Sequence, residues 1–181
     1  MLERKSSRHG LWMFAIALLV IALDQYTKHL VRTCEHLPLN GSWNPIPWLD
    51  RIVTLTHVRN SGVAFGFLPG MGTSVIAVAV VVVFIIVFYY RQLAEASWLL
   101  HTAFGLQLGG AMGNMIDRIT DNGHVTDFID FRVWPVFNVA DSAVVVGTIL
   151  LAFYIFFLDR PEEEAAADSA GPQASYPDGE T

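Results

Sequence analysis

The sequence predicts an all-α membrane protein: four transmembrane helices, with a small β element and loops on the outer face. Three observations predict it. The 181 residues are 53% hydrophobic and only 15% charged, less charge than an ordinary soluble domain carries. Four apolar segments, at about 11–31, 73–90, 97–116 and 137–158, each approach or exceed the roughly 18–20 residues that cross a bilayer. From the end of the third segment to the start of the fourth lie Asp117, Arg118, Asp127, Asp130 and Asp141. Charge is costly at a membrane edge and ordinarily has a task there.

The first segment follows Arg4, Lys5 and Arg8, as a signal peptide would. No small-residue cleavage site follows, and the helical pattern continues through Asp24 and Lys28, so a retained span is expected. Asp24 and Lys28 are four apart and share a helix face; a structural ion pair is the simplest reading. The connection at 32–72 begins with the breakers Pro38, Gly41, Pro45 and Pro47. Residues 51–59 are rich in β-formers, Asn60-Ser61-Gly62 offers a turn, and 63–67 would return as a second strand. The expected β element, about 43–68, lies on the membrane surface with Trp43 and Trp48 in the interfacial belt. Asn60 is either a turn residue or an amide that holds substrate backbone.

The second span is a near-continuous Val and Ile run at 74–90. In lipid only a helix satisfies such a backbone. A short polar link at 91–96 leads to the third span. There Gly105, Gly109 and Gly113, four apart, form a ridge that another helix can approach closely. Asn114, Asp117 and Arg118 follow at the end of that helix, either as interfacial anchors or as an inward polar network. Asp121-Asn122-Gly123 is a strong turn signal. Pro161 ends the fourth helix. One domain, 1–160, is therefore expected, followed by a disordered acidic tail at 161–181 that opens with Glu162, Glu163 and Glu164.

Four spans place both termini on one side. The cluster of Arg4, Lys5 and Arg8 and the short link at Arg91 favour the cytoplasm for that side. Lys28, Arg32, Arg51, Arg59, Arg118 and Arg132 on the other side weaken the asymmetry. The net charge of −6 argues against a nucleic-acid partner. Cys34 is the only cysteine, so no intramolecular disulfide and no cysteine-based metal site is expected. The six histidines are scattered, without a paired helical spacing, so no zinc and no other cofactor is expected.

Asp127 is the most informative single residue. If 125–131 is extended, Val125, Asp127, Ile129 and Phe131 share a face. A lone carboxylate on an apolar face is costly unless it is paired or neutral. Asp130, on the other face with Thr126 and Phe128, reads as solvated. Asp141 lies in the first turn of the fourth helix, with Asn138 and Ser142 on the same side. A charge–dipole contact alone would account for it there. Two carboxylates close together in a weakly polar site hold a proton between them. Such a pair can take a proton from water with one member and polarise a carbonyl with the other. That chemistry needs no metal and no Cys or Ser nucleophile. The residues thus offer an aspartate-dyad hydrolase using Asp127 and Asp141, a proton-coupled membrane transporter, or a structural membrane protein. Transport predicts polar residues through the depth of the bundle, whereas here they gather at one edge. A structural role leaves Asp127 unexplained.

Five stretches together resemble the bacterial lipoprotein signal peptidases (signal peptidase II). They are Asp24-Gln25-Tyr26-Thr27-Lys28, Asn60-Ser61-Gly62-Val63-Ala64-Phe65, the run from Gly109 through Gly113 and Asn114 to Asp117 and Arg118, Val125-Thr126-Asp127-Phe128, and Phe137-Asn138-Val139-Ala140-Asp141. Each is weak alone; in this order on a chain of this length they are specific, and they cover about 15–160. The resemblance implies a multi-pass intramembrane aspartic endopeptidase of the bacterial inner membrane. Its active site would lie near the periplasmic face. Its substrates would be diacylglyceryl-modified prolipoproteins, cut just before the lipidated Cys. It implies that Asp127 and Asp141 are catalytic and that Asn60, Asn114, Arg118 and Asn138 contact substrate or line the site. Asp24, Lys28 and Asp117 would support it. Membrane lipid and globomycin-type cyclic peptide inhibitors are the further implied partners.

Overall fold

The computed structural model of the protein describes residues 3–62 and 97–158, with side chains from Leu11 onward. The expected second span (73–90), the link at 91–96, the return strand at 63–67 and the tail at 161–181 lie outside the described residues. Three long helices and a three-stranded sheet, with a single 3-10 turn at Pro47–Leu49, make up the regular structure described. They are α1 (Glu3–Thr33), β1 (Ser42–Trp43), β2 (Thr54–Asn60), α2 (Trp98–Thr120), β3 (Val125–Asp130) and α3 (Val139–Phe157).

α1 shows why the bundle forms. Its buried residues Met13, Ala17, Val20, Asp24, Lys28 and Val31 recur every three or four positions, one stripe of a helix. The stripe is apolar for its first half and charged in its second. The opposite face keeps Leu11, Leu18, Leu19 and Leu23 exposed, so it is apolar without being covered by protein. α1 and α3 are both long and apolar enough to cross a membrane, over Leu11–Thr33 and Val139–Phe157. α2 is the central helix and packs against both.

Close approach of α2 depends on its glycines. A Cβ on Gly105, Gly109 or Gly113 would stand 2.8 Å from Met13 O, 2.7 Å from Val20 Cβ and 2.6 Å from Asp24 Oδ2. The ridge predicted from their spacing therefore faces α1. Gly110 points the other way, and its Cβ would collide with the Ala140 carbonyl at the start of α3. Met13, Ala17, Leu100, Phe104 and Leu108 fill the apolar part of the bundle. A second cluster, Val31, Leu37 and Phe128, lies under the sheet. The charged residues sit between these two apolar layers.

The expected hairpin would pair residues 51–59 with 63–67, and that return strand lies outside the described residues. Among the described residues β2 makes two pairings that the sequence did not predict, antiparallel with β1 on one side and with β3 on the other. The Asp121-Asn122-Gly123 turn, with Asn122 at φ 50 and Gly123 at φ 87, sends the chain from α2 back along the bundle as β3. Thr54 then pairs with Asp130, Val58 with Asp127 and Asn60 with Val125, with a bulge between Leu55 and Val58. The sheet thus joins the first outer connection to the third. α2 runs to Thr120 and holds Asp117 and Arg118 at its end, as expected, whereas α3 begins at Val139, with Asn138 as its cap rather than within it.

Candidate active site

Asp127 is brought to the bundle by β3 and is 2% exposed. Its direct neighbour across the sheet is Val58. Asn60, two residues further along β2, is the diagonal partner on the same face, within reach of side chains. The Asn60 amide donates to Asp127 Oδ2 at 2.9 Å, while its own Oδ1 accepts from Gly62 N at 2.9 Å. The other carboxylate oxygen, Oδ1, accepts from Asn138 Nδ2 at 2.7 Å.

Asp141 is held by the start of α3. The Asn138 side chain accepts from Asp141 N at 2.9 Å, and Asp141 Oδ2 accepts from Asn138 N at 3.2 Å. This is a reciprocal capping box, and it explains why the helix begins here. Asp141 Oδ1 is left to accept from Asn114 Nδ2 at 2.7 Å. Asn138 therefore touches both aspartates, one through its amide nitrogen and one through its oxygen. Asn114 Oδ1 accepts from the same Asn138 amide at 3.1 Å, closing a ring of amides around the pair.

Burial is the main cause that pushes the Asp127 carboxyl up to about 7, with the nearby Asp141 charge second. The Asn60 and Asn138 hydrogen bonds and the Lys28 charge act in the opposite direction. Asp127 is thus poised to hold a proton near neutral pH.

Beneath the pair lies a cluster of buried ions. Lys28 Nζ reaches Asp24 Oδ2 at 2.8 Å and Asp117 Oδ2 at 3.2 Å, all three residues being fully buried. Arg32 reaches Asp117 Oδ2 at 2.9 Å and donates through Nε to Thr126 Oγ1 at 2.8 Å. Gln25 Nε2 lies 3.1 Å from Asp24 Oδ2 and 3.0 Å from Asp117 Oδ1. Of the two readings the sequence left open for Asp117, an interfacial anchor or an inward network, the geometry is that of the network. Arg118 is buried too, and donates to Gly62 O at 3.2 Å and Asn114 O at 3.3 Å. Its Nε has no hydrogen-bond partner among the described residues.

All the residues singled out from the sequence converge: Asp24, Lys28, Asn60, Asn114, Asp117, Arg118, Asp127, Asn138 and Asp141 belong to one connected polar region. Gln25, Arg32 and Thr126 belong to it as well and were not anticipated. Arg32 carried a signal, because it continues the four-residue spacing from Asp24 through Lys28. Thr126 carried none, since its partners Arg32 and Asp117 lie on other elements, ninety-four and nine positions away. Asp130 differs from its reading as a solvated residue: it is partly buried and accepts from Thr56 Oγ1 at 2.9 Å across the sheet. Its neighbours Thr126 and Phe128 are buried, because α1 and the chain after it cover that face. Among the described residues no three His, Cys, Asp or Glu side chains gather as a metal site.

The chain is similar to known proteins over most of its length. Residues 16–157 match the family model for signal peptidase (SPase) II. A lipoprotein signal peptidase of Halothermothrix orenii is 43% identical over 145 residues, covering 80% of this chain and 94% of its own. One from Moorella thermoacetica is 43% identical over 144 residues, covering 77% and 89%. Two solved structures of bacterial membrane enzymes superpose with TM-scores of 0.68 and 0.69, at 28% and 30% identity. They cover 91% and 81% of this chain, and each is itself 94% covered. The transporter reading finds no support among these relatives.

Proposed function

The chain belongs to the signal peptidase II family, and on that premise we propose that Asp127 and Asp141 act as a coupled acid–base pair on a water at the membrane edge. The protein is an aspartic endopeptidase that removes the signal peptide from prolipoproteins. The observation that carries the proposed site is the shared Asn138: one buried side chain binds both carboxyl-bearing residues. The pair carries one proton. Its charged member takes a proton from water as the oxygen attacks the scissile carbonyl, and its protonated member gives a proton to the carbonyl oxygen. The tetrahedral intermediate collapses as a proton passes to the leaving nitrogen. The pair ends with one proton, as it began.

The substrate carries diacylglycerol on its lipobox Cys and is cut just before that residue. Such a substrate enters from the bilayer, which suits a site between two apolar layers. The buried Nε of Arg118 offers a donor for a substrate carbonyl, and Asn60 holds the backbone N–H of Gly62. In this reading domain 1–160 crosses the bacterial inner membrane four times with both termini cytoplasmic. The sheet lies at the periplasmic face with Trp43 and Trp48 in the interface. The exposed apolar faces of α1 and α3 meet lipid. Globomycin-type cyclic peptides occupy the same cleft.

The reading is tested by gel-shift cleavage in detergent with EDTA present, comparing a diacylglyceryl prolipoprotein with its unlipidated form. Cleavage of the lipidated form alone is expected, blocked by a globomycin-type peptide. Equal cleavage of both forms would remove lipid recognition, and activity lost to EDTA and restored by zinc would remove the dyad.

A pH dependence follows from Asp127. Because its carboxyl is pushed up to about 7, the shared proton is present below that pH and leaves above it. kcat/KM is expected to fall as pH rises through about 7; a flat profile from about pH 6 to about pH 9 would count against a shared proton. The same shift sets the sign for stability. A carboxyl raised above its ordinary 3.8 binds more proton in the folded state. Its contribution therefore declines as pH climbs from about 4 to about 7 and is level beyond.

A further inference from the structure

We propose that Lys28 is a positioning residue for both catalytic aspartates, acting as the hub of a buried cluster that fixes the backbone just ahead of each one. This rests on the reading of Asp127 and Asp141 as the catalytic pair. Lys28 Nζ makes three contacts, to Asp24 at 2.8 Å, to Asp117 at 3.2 Å and to Asn114 Oδ1 at 3.0 Å. Each partner leads to the pair. Asp117 Oδ2 accepts from the backbone N–H of Thr126 at 3.0 Å, and Thr126 immediately precedes Asp127. Asp24 Oδ1 accepts from the backbone N–H of Ala140 at 3.0 Å, and Ala140 immediately precedes Asp141. Asn114, with its oxygen turned to the ammonium, must turn its nitrogen to Asp141.

The two amides so held have different reasons to need a partner. Ala140 N–H lies in the first turn of α3, where no carbonyl of the helix can reach it. Thr126 lies near the start of β3, in a strand buried on both faces. A carboxylate from α1 thus locates the helix that carries one aspartate, and a carboxylate from α2 locates the strand that carries the other. The ammonium between them sets their separation. Apolar packing could hold the helices together at less desolvation cost than buried ions. What the ions add is a fixed placement of two reacting groups, on which catalysis depends steeply.

Lys28→Met removes the hub and leaves a buried negative charge. The charge-balanced Asp24→Asn/Lys28→Met variant keeps an oxygen acceptor for Ala140 N and leaves Asp117 paired with Arg32. Both are compared with wild type for kcat and KM on a lipidated prolipoprotein in detergent, after the monodisperse folded fraction is isolated. In the double variant kcat is expected to fall about 100-fold with KM within about twofold of wild type, since substrate contacts are untouched. Wild-type kcat in the double variant would overturn the proposal. So would a raised KM at unchanged kcat, which would make Lys28 a substrate-binding group. If neither variant accumulates as folded protein, the role is structural and the proposal fails. Asp141→Asn is run beside them. Activity in that variant would remove the catalytic pair itself, whereas its inactivity beside fully active Lys28 variants would remove only this inference.

Discussion

Replacing Asp127 or Asp141 by Asn is expected to lower kcat by roughly 10,000-fold, the order seen when one member of a catalytic unit is removed. The change is nearly isosteric, so the fold should tolerate it. In the Asp127→Asn variant the new amide oxygen would still accept a hydrogen bond from the Asn60 or Asn138 amide. In Asp141→Asn the new amide oxygen would still close the capping box. What disappears is the exchangeable proton of one member, and with it the transfer to or from the reacting water and carbonyl. Each variant should accumulate in the membrane at wild-type levels and fail in the gel-shift assay. On the proposed mechanism the two carboxyls act as a unit, so the double variant should be scarcely worse than either single one. Appreciable cleavage by either single variant would dismiss the pair as the acid and base.

Asn138 is expected to be the next most damaging position, because one buried side chain does three jobs there. It caps α3, donates to Asp127 and donates to Asn114. Asn138→Ala loses the cap, about 1–2 kcal/mol of stability, and leaves Asp127 Oδ1 without that donor in a nearly dry site. kcat should fall roughly 1,000-fold. Asn138→Asp separates the jobs. An aspartate caps a helix as well as an asparagine does, but it presents a third carboxylate to the pair in place of a donor. That variant keeps the cap, but its buried carboxylate faces two acceptors, Asp127 Oδ1 and Asn114 Oδ1, so it is expected to lose thermal stability near neutral pH and to lose activity as fully as the alanine variant. An Asn138→Asp enzyme with wild-type kcat would show that the donor is dispensable.

Features set by local spacing were legible in the sequence. Four-residue intervals placed Asp24 against Lys28 and turned Gly105, Gly109 and Gly113 toward a neighbouring helix. Asn122-Gly123 supplied the two positive φ angles that reverse the chain after α2. The place of Asp141 in the first turn of the last helix was legible, but Asn138 read as a residue within that helix and is its cap. Pairing between distant segments was not legible. Residues 51–59 read as strand on composition alone, but nothing local says that 125–130 is a partner. The same limit hid Thr126 and Gln25, whose partners lie on other elements. Asp117 was ambiguous because a carboxylate near a helix end looks alike whether it meets water or an ammonium. The gathering of the polar residues into one region followed from the family resemblance, which carries three-dimensional information that periodicity lacks.

The pairing of Asp24 with Lys28 along a single helix also bears on biogenesis. α1 leaves the ribosome before α2. Asp117, and with it the ion pair to Arg32, cannot exist until α2 has been made, roughly 5–20 s later at ordinary synthesis rates. Through that interval Asp24 would face the translocon or lipid as a bare carboxylate were its counter-ion not one turn away on the same segment. In the proposed multi-pass arrangement, a self-contained, net-neutral pair would let α1 partition into the bilayer before its final partners are synthesised. The later helices would then insert around a charge that has already been neutralised.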